Sequence, residues 1–126
     1  MHELATAQDV LSIVQREALV YNAVRVKAIR LRMGVHSHLE PRSLSFCLES
    51  IAQDTILEGA RVEIVPCEAD VECAVCGRFP YDGDAGAEVR CPKCGETAKR
   101  MPPTEIYIQE ITLDVEDDPI GKESSV

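Results

Sequence analysis

Two Cys-x-x-Cys pairs constrain this chain of 126 residues more than any other feature. The first pair is Cys73 and Cys76, and the second pair, Cys91 and Cys94, follows after fourteen intervening residues. Two intervening residues allow both sulfur atoms of a turn to face one ion, and two such turns complete a tetrahedron. A glycine follows each pair and tolerates the positive φ that a tight thiolate turn often requires. The pattern predicts a closed four-cysteine zinc site, which stabilises a fold and does not catalyse.

Two disulfides or a redox motif are the alternatives to zinc at these cysteines. A redox motif needs only one Cys-x-x-Cys pair and leaves the second pair unexplained. The N-terminus lacks a basic segment, and Asp9 interrupts its apolar positions, so no signal peptide is expected. We therefore expect a cytoplasmic protein, in which thiols stay reduced and paired cysteines bind metal. Of the other two cysteines, Cys47 is interpreted as a small buried hydrophobe, whereas Cys67 has no predicted role.

The charge balance limits the classes of partner that the chain can bind. Thirteen basic and 22 acidic residues give a net charge of −9, which argues against nucleic acid and anionic membrane surfaces. No apolar run approaches the length of a membrane span. The alternative function, a zinc-ribbon module that docks nucleic acid or transcription machinery, requires a basic ribbon. Residues 67–101 contain five basic and seven acidic residues instead. A hydrolase with an open zinc is disfavoured because four cysteines fill the coordination shell.

The spacing of apolar residues predicts five regular elements: helices over 4–20 and 41–54, and strands over 24–33, 61–64 and 105–115. In the first strand we expect Ile29, Leu31 and Met33 to face the core, with Arg30 and Arg32 pointing outward. The cysteine segment falls between the second and third strands. The order predicts an α/β fold: a small two-layer sandwich of a three-stranded sheet with two helices, plus an inserted zinc-ribbon domain with four cysteine ligands.

The same order predicts how the chain divides into domains. Residues 1–66 and 104–115 should form the α/β domain, and residues 67–103 the zinc-ribbon domain. The tail over 116–126 is acidic and ends in Ser-Ser-Val, a composition that is typical of a disordered segment.

The first three residues, Met1, His2 and Glu3, can be interpreted as a metal site. The Met1 α-amine, the His2 amide and the His2 ring offer three nitrogen donors, and the Glu3 amide or carboxylate can supply a fourth. Planar nitrogen coordination suits Ni(II) or Cu(II). Taken alone, three residues fit an ordinary exposed terminus more simply, because short motifs often match by chance.

Several segments together give the chain a specific resemblance. Their order is Met-His-Glu-Leu at 1–4, Leu-Arg-Met-Gly at 31–34, Thr-Ile-Leu-Glu-Gly-Ala at 55–60, the two cysteine pairs, and an isoleucine-rich final strand. With these segments, residues 1–115 closely resemble the HypA/HybF family of nickel metallochaperones, the hydrogenase maturation factors. The resemblance implies that Ni(II) is held at Met1, His2 and Glu3, and that structural zinc is held by the four cysteines.

The resemblance also implies a function without catalysis. The chain would deliver Ni(II) to the large subunit precursor of a [NiFe]-hydrogenase, and in some organisms to urease with its accessory proteins. Its expected partner is the nickel-handling GTPase HypB, which would dock near Glu3. Residues 34–38 read Gly-Val-His-Ser-His where the family usually begins Gly-Glu-Leu-Ser, and Glu40 stands where an aspartate is common. We interpret His36 and His38 as exposed loop residues, with a second metal site as the alternative.

Overall fold

The structure is a computed structural model that describes residues 2–83, 88–115 and 123–125. Two helices lie in this part of the chain, α1 (His2–Val20) and α2 (Pro41–Ala52). The strands are β1 (Ala23–Gly34), β2 (Arg61–Cys67), β3 (Asp70–Cys73), β4 (Gly77–Pro80), β5 (Lys99–Met101), β6 (Ile106–Val115) and β7 (Glu123–Ser125). Neither helix combines the length and hydropathy needed to cross a membrane. The two helices and two small sheets confirm the predicted α/β class with a separate cysteine-bearing segment.

Helix α1 follows the predicted periodicity and starts two residues earlier than expected. Its buried residues, at helical spacing, are Ala7, Val10, Val14 and Ala18. The helix stops at Val20 because Asn22 adopts φ = 54°, a left-handed conformation that asparagine tolerates. The chain thereby leaves the helix where the sequence predicted a break.

Helix α2 begins at a proline, which suits the first turn of a helix. Glu40 caps it, since its carboxylate accepts a 2.7 Å hydrogen bond from the Ser43 amide. Leu44 and Leu48 are buried, and α2 packs against α1. The helix ends at Ala52, two residues before the predicted end, and Cys47 is half-buried on it.

The main sheet has four strands in the order β2-β1-β6-β7, where three were expected. The additional strand, β7, pairs antiparallel with β6, with Thr112 opposite Ser125. The prediction of a disordered tail is therefore wrong for residues 123–125, because backbone pairing with β6 requires no apolar pattern in the partner segment. The rest of that tail, 116–122 and 126, lies outside the described residues.

The burial of β1 agrees with prediction except at one residue. Ile29, Leu31 and Met33 are buried, and Arg30 is exposed. Arg32, predicted to point outward, has a side chain that is only 6% exposed. Its guanidinium donates to both carboxylate oxygens of Asp82, at 2.6 and 3.1 Å, and to the Pro66 carbonyl oxygen. A buried arginine needs such partners, and they lie too far along the chain for a strand pattern to indicate them.

The second sheet has three short strands in the order β4-β3-β5 and forms the predicted ribbon. Its small core contains Val71, Cys73, Phe79 and Cys91. The chain divides into two compact units, whose described residues are 2–31, 39–64, 108–115 and 123–125 in one and 32–38, 65–83 and 88–107 in the other. The domain boundaries inferred from the sequence stay a prediction.

Candidate metal centre

The first cysteine pair lies in the hairpin that joins β3 to β4. Cys73 is the last residue of β3 and is the register partner of Gly77, the first residue of β4. Cys76 lies in the three-residue turn between them. Gly77 has φ = 91°, which residues with a Cβ rarely adopt, so the glycine permits the tight return of the chain.

The second cysteine pair lies in a turn of the same design. The Cys91 amide donates to the Glu96 carbonyl oxygen at 2.8 Å, and the Gly95 amide donates to the Cys91 carbonyl oxygen at 2.8 Å. Arg90 and Thr97 form an antiparallel bridge just outside this turn. Gly95 has φ = 80°, so both predicted positive-φ glycines are confirmed. Each turn thus closes its backbone around one Cys-x-x-Cys pair.

The two turns bring all four cysteines together. Their sulfur atoms lie within 4.8 Å of one another, and Cys73 Sγ is 3.5 Å from Cys94 Sγ. A tetrahedral zinc with Zn–S bonds of about 2.3 Å places its sulfur atoms about 3.8 Å apart. Cys73 and Cys91 are buried, whereas Cys94 is exposed. The cluster therefore fits a tetrahedral thiolate-binding ion such as Zn²⁺ at the edge of the ribbon core.

The environment of the cluster shifts the pKa of Cys76 and that of Cys91 in opposite directions. A hydrogen bond with Cys94 and partial burial raise the pKa of Cys76 to about 12. Burial raises the pKa of Cys91, but the backbone amides of Cys94 and Lys93 more than offset it and bring the value to about 7. At neutral pH the Cys76 thiol therefore retains its proton. A divalent ion bound at Cys76 would displace that proton, because the thiolate is the binding form.

A buried carboxylate, which the sequence did not indicate, fixes the stem of the ribbon. Asp70 is 1% exposed and accepts hydrogen bonds from Arg78 Nε at 2.9 Å, from the Thr104 amide at 3.1 Å and from the Thr104 hydroxyl. Arg78 also donates to the Pro102 carbonyl oxygen at 2.6 Å. These contacts tie β3 to the segment that leaves the ribbon. The nearest sequence signal is the Pro102-Pro103 pair, which marks an irregular connection but not its partner.

Of the predicted nickel residues, Met1 lies outside the described residues, whereas His2 and Glu3 occupy the first turn of α1. His2 is exposed. The Glu3 carboxylate accepts a 3.0 Å hydrogen bond from the Glu40 amide, and this bond lowers the pKa of Glu3. The start of α1 is therefore joined to the residue that caps α2.

Among the described residues, the four cysteines are the one group of three or more metal-binding side chains. The other candidate residues, Cys67, His36 and His38, are not part of this group. Cys67 is buried, and its thiol donates to the Ala69 carbonyl oxygen at 3.0 Å. His36 and His38 are exposed in the loop between β1 and α2. The four cysteines' role as zinc ligands and the N-terminal nickel site stay predictions.

Comparison with known proteins places the chain in a family. Residues 1–113 match the family described as hydrogenase/urease nickel incorporation, metallochaperone, hypA. The hydrogenase maturation factor HypA of Methylocella silvestris is 35% identical over 102 residues, which cover 80% of this chain and 88% of that protein. The protein of the same name from Methanopyrus kandleri is 35% identical over 119 residues, which cover 80% of this chain and 84% of that protein.

A solved structure supports the same fold. The solution structure of the Ni metallochaperone HypA from Helicobacter pylori superposes with a TM-score of 0.62 at 17% sequence identity. The superposition covers 90% of this chain and 98% of that one. At this identity the likeness shows the fold, and the sequence match shows the family. The chain belongs to the HypA family of hydrogenase/urease nickel incorporation proteins, and is a metallochaperone and not an enzyme.

Proposed function

We propose that this protein binds Ni(II) through the Met1 amine, His2 and Glu3, and delivers it to the large subunit of a [NiFe]-hydrogenase or to urease during maturation. The observation that carries the proposal is the family match, which begins at the first residue and includes the Met-His-Glu start. His2 opens α1 as an exposed residue, which leaves its imidazole accessible to an incoming ion.

The position of His2 and Glu3 in the first turn supports a planar nitrogen site. The first amides of a helix have no carbonyl partner four residues before them, so binding of metal there breaks no helical hydrogen bond. The Glu3 carboxylate is engaged by the Glu40 amide at 3.0 Å. This contact favours the Glu3 amide nitrogen over its carboxylate as the fourth donor. Four nitrogen donors in a plane suit Ni(II).

The four-cysteine cluster is proposed to bind structural Zn²⁺ and not the nickel cargo. Cys73, Cys76, Cys91 and Cys94 fill a tetrahedral shell and leave no position for a substrate. Thiolates are softer donors than amine and amide nitrogens, so the two sites would select different ions. We infer that zinc holds the ribbon folded while nickel is exchanged at the N-terminus.

Delivery requires partners that bind the face around the N-terminus. A HypB-type nickel GTPase and the hydrogenase large subunit precursor are the partners proposed here, with urease accessory proteins in organisms that make urease. Nickel release is favoured when protons or competing ligands attack the amine and amide donors. The cytoplasm is the expected compartment because the four cysteines can bind metal only where their thiols stay reduced.

The experiment is complementation of a hydrogenase-positive strain from which the native copy of this protein has been deleted. The unaltered chain should restore hydrogenase activity and nickel content of the purified large subunit at low external nickel. The His2→Ala variant should fail at low nickel and recover when nickel is supplied in excess. If His2→Ala restores activity as well as the unaltered chain, nickel does not pass through the N-terminus.

A further inference from the structure

The loop between β1 and α2 carries two imidazoles that the proposed function leaves unused. His36 and His38 are separated by one residue, and both lie in the loop with solvent-accessible side chains. Histidine occurs at only three positions in the chain, so two of its three imidazoles lie in this loop. Neutral imidazole is a common ligand for nickel, zinc and copper.

Backbone contacts fix the start of this loop. The Gly34 amide donates to the Glu105 carbonyl oxygen at 3.1 Å, and the Val35 amide donates to the Cys67 carbonyl oxygen at 2.9 Å. A Cβ added at Gly34 would lie 2.8 Å from the Thr104 carbonyl oxygen, so the chain there is closely packed. These contacts hold the residue before His36 in place.

A hydrogen bond fixes the middle of this loop, and burial of Leu39 fixes its end. The Ser37 amide donates to the Gly34 carbonyl oxygen at 2.9 Å, which closes a turn around His36. Leu39 is 5% exposed, and Glu40 then caps α2. Both histidines therefore belong to a short segment that is ordered before any ligand arrives. Because the backbone of this segment is already fixed, binding of an ion would have to order only the two imidazole side chains.

We propose that His36 and His38 form a second, weaker site for Ni(II), in which two imidazole nitrogens bind the ion and water completes its coordination. The net charge of −9 raises the local concentration of divalent cations around the chain. The role of this loop as a holding site for nickel cargo rests on the proposed function. The binding of Ni(II) itself depends only on the two imidazoles.

The two nickel sites should differ in electronic state, which allows each to be observed separately. Planar coordination by four strong nitrogen donors gives low-spin, diamagnetic Ni(II). Two imidazoles with water give six-coordinate, high-spin Ni(II), which is paramagnetic and broadens nearby proton resonances. The test is an NMR titration of untagged, zinc-loaded protein with Ni(II), in which the ring protons of all three histidines are followed.

We expect the His2 ring to respond to the first equivalent without broadening, and the His36 and His38 rings to broaden together as the second equivalent is added. In a His2→Ala protein the same broadening should remain. Removing one loop imidazole, as His36→Ala or His38→Ala, should raise the Kd of the second equivalent on the order of 100-fold, the size of gain that linking two binding groups gives. Val35→Ala, at an exposed residue of the same loop, is the matched control and should leave the Kd unchanged.

Two results would overturn the loop site: no broadening at His36 and His38, or a double variant of both that still binds the second equivalent. Either result leaves the proposed function intact, because the first equivalent would still reach His2. If His2→Ala instead retains tight, diamagnetic binding, the N-terminal site is wrong. The loop site is then judged by its own two imidazole signals.

Discussion

The substitution Cys91→Ser tests whether the ribbon depends on its metal. Among the described residues, the ribbon core contains two large buried side chains besides cysteine, Val71 and Phe79, and the side chains packed against it are only partly buried: Tyr81, Val89, Ala98 and Tyr107. Full burial contributes about 1.5–3 kcal/mol for each of the first two and less for the others, which is too little to offset the chain entropy of this segment. A structural Zn²⁺ contributes about 10–16 kcal/mol in small zinc domains. Loss of one thiolate should therefore unfold the ribbon and leave α1 and α2 folded.

Hydrogen exchange measured by mass spectrometry, together with metal analysis, is the assay for this substitution. In the Cys91→Ser protein we expect substoichiometric zinc and a loss of amide protection across β3, β4 and β5. The helices should keep their protection. Cys47→Ser is the matched control, because Cys47 is half-buried on α2 and outside the cluster, and this variant should keep full zinc content.

Amide protection that persists in the ribbon without bound metal would contradict a metal-dependent fold. If Cys91→Ser, or the unaltered chain treated with a chelator, keeps protected amides in β3 and β4, then the ribbon folds without metal. The Asp70 hydrogen bonds and the small apolar core would then be sufficient, and zinc would not be a structural requirement.

Three further substitutions test individual contacts. Asp82→Asn should lower the free energy of unfolding of the ribbon unit by about 1–2 kcal/mol, because buried Arg32 loses its ionised partner. The loss is limited because the Asp82 side chain is exposed, so water screens the ion pair in the unaltered protein. Hydrogen bonds from Arg32 lower the pKa of Asp82, so the carboxylate is ionised throughout the range in which the thiolates can bind zinc, and urea titrations between about pH 6 and 8 should show the full, pH-independent difference. Asp70→Asn should cost about 2–3 kcal/mol and speed amide exchange in β3, whereas unchanged exchange would show that the carboxylate is dispensable. Glu3→Ala should speed exchange of the Glu40 amide yet retain planar Ni(II), since the residue 3 amide persists; loss of the planar nickel spectrum would identify the carboxylate as the donor.

The sequence predicted those features that depend on local patterns. Apolar spacing located both helices and the core of β1, and the Cys-x-x-Cys spacing with its glycines located two matching turns. These features are local because helix periodicity, strand alternation and turn geometry involve residues a few positions apart.

The features that the sequence did not predict depend on contacts between distant residues. Arg32 is buried because Asp82, 50 residues away, neutralises it, whereas strand alternation alone places it outward. In the sequence Asp70 is indistinguishable from a surface carboxylate, and only the fold shows that the Thr104 amide, 34 residues away, donates a hydrogen bond to it. β7 lacks an apolar pattern and pairs through backbone groups, so its composition indicated disorder.

Nickel binding by the start of the chain itself can be tested by calorimetry without altering any side chain. Ni(II) is titrated into untagged protein and into protein with Gly-Ser-Gly-Ser added before Met1, with zinc assayed in both. Four residues are added because a single one would place His2 third in the chain, where the new amine, two amides and the imidazole could form another planar site. The extension converts the Met1 α-amine into an amide and moves the terminal donor away. We predict one tight equivalent in the untagged protein, its loss in the extended protein, and equal zinc in both. Equally tight nickel binding by the extended protein would contradict an N-terminal nickel site.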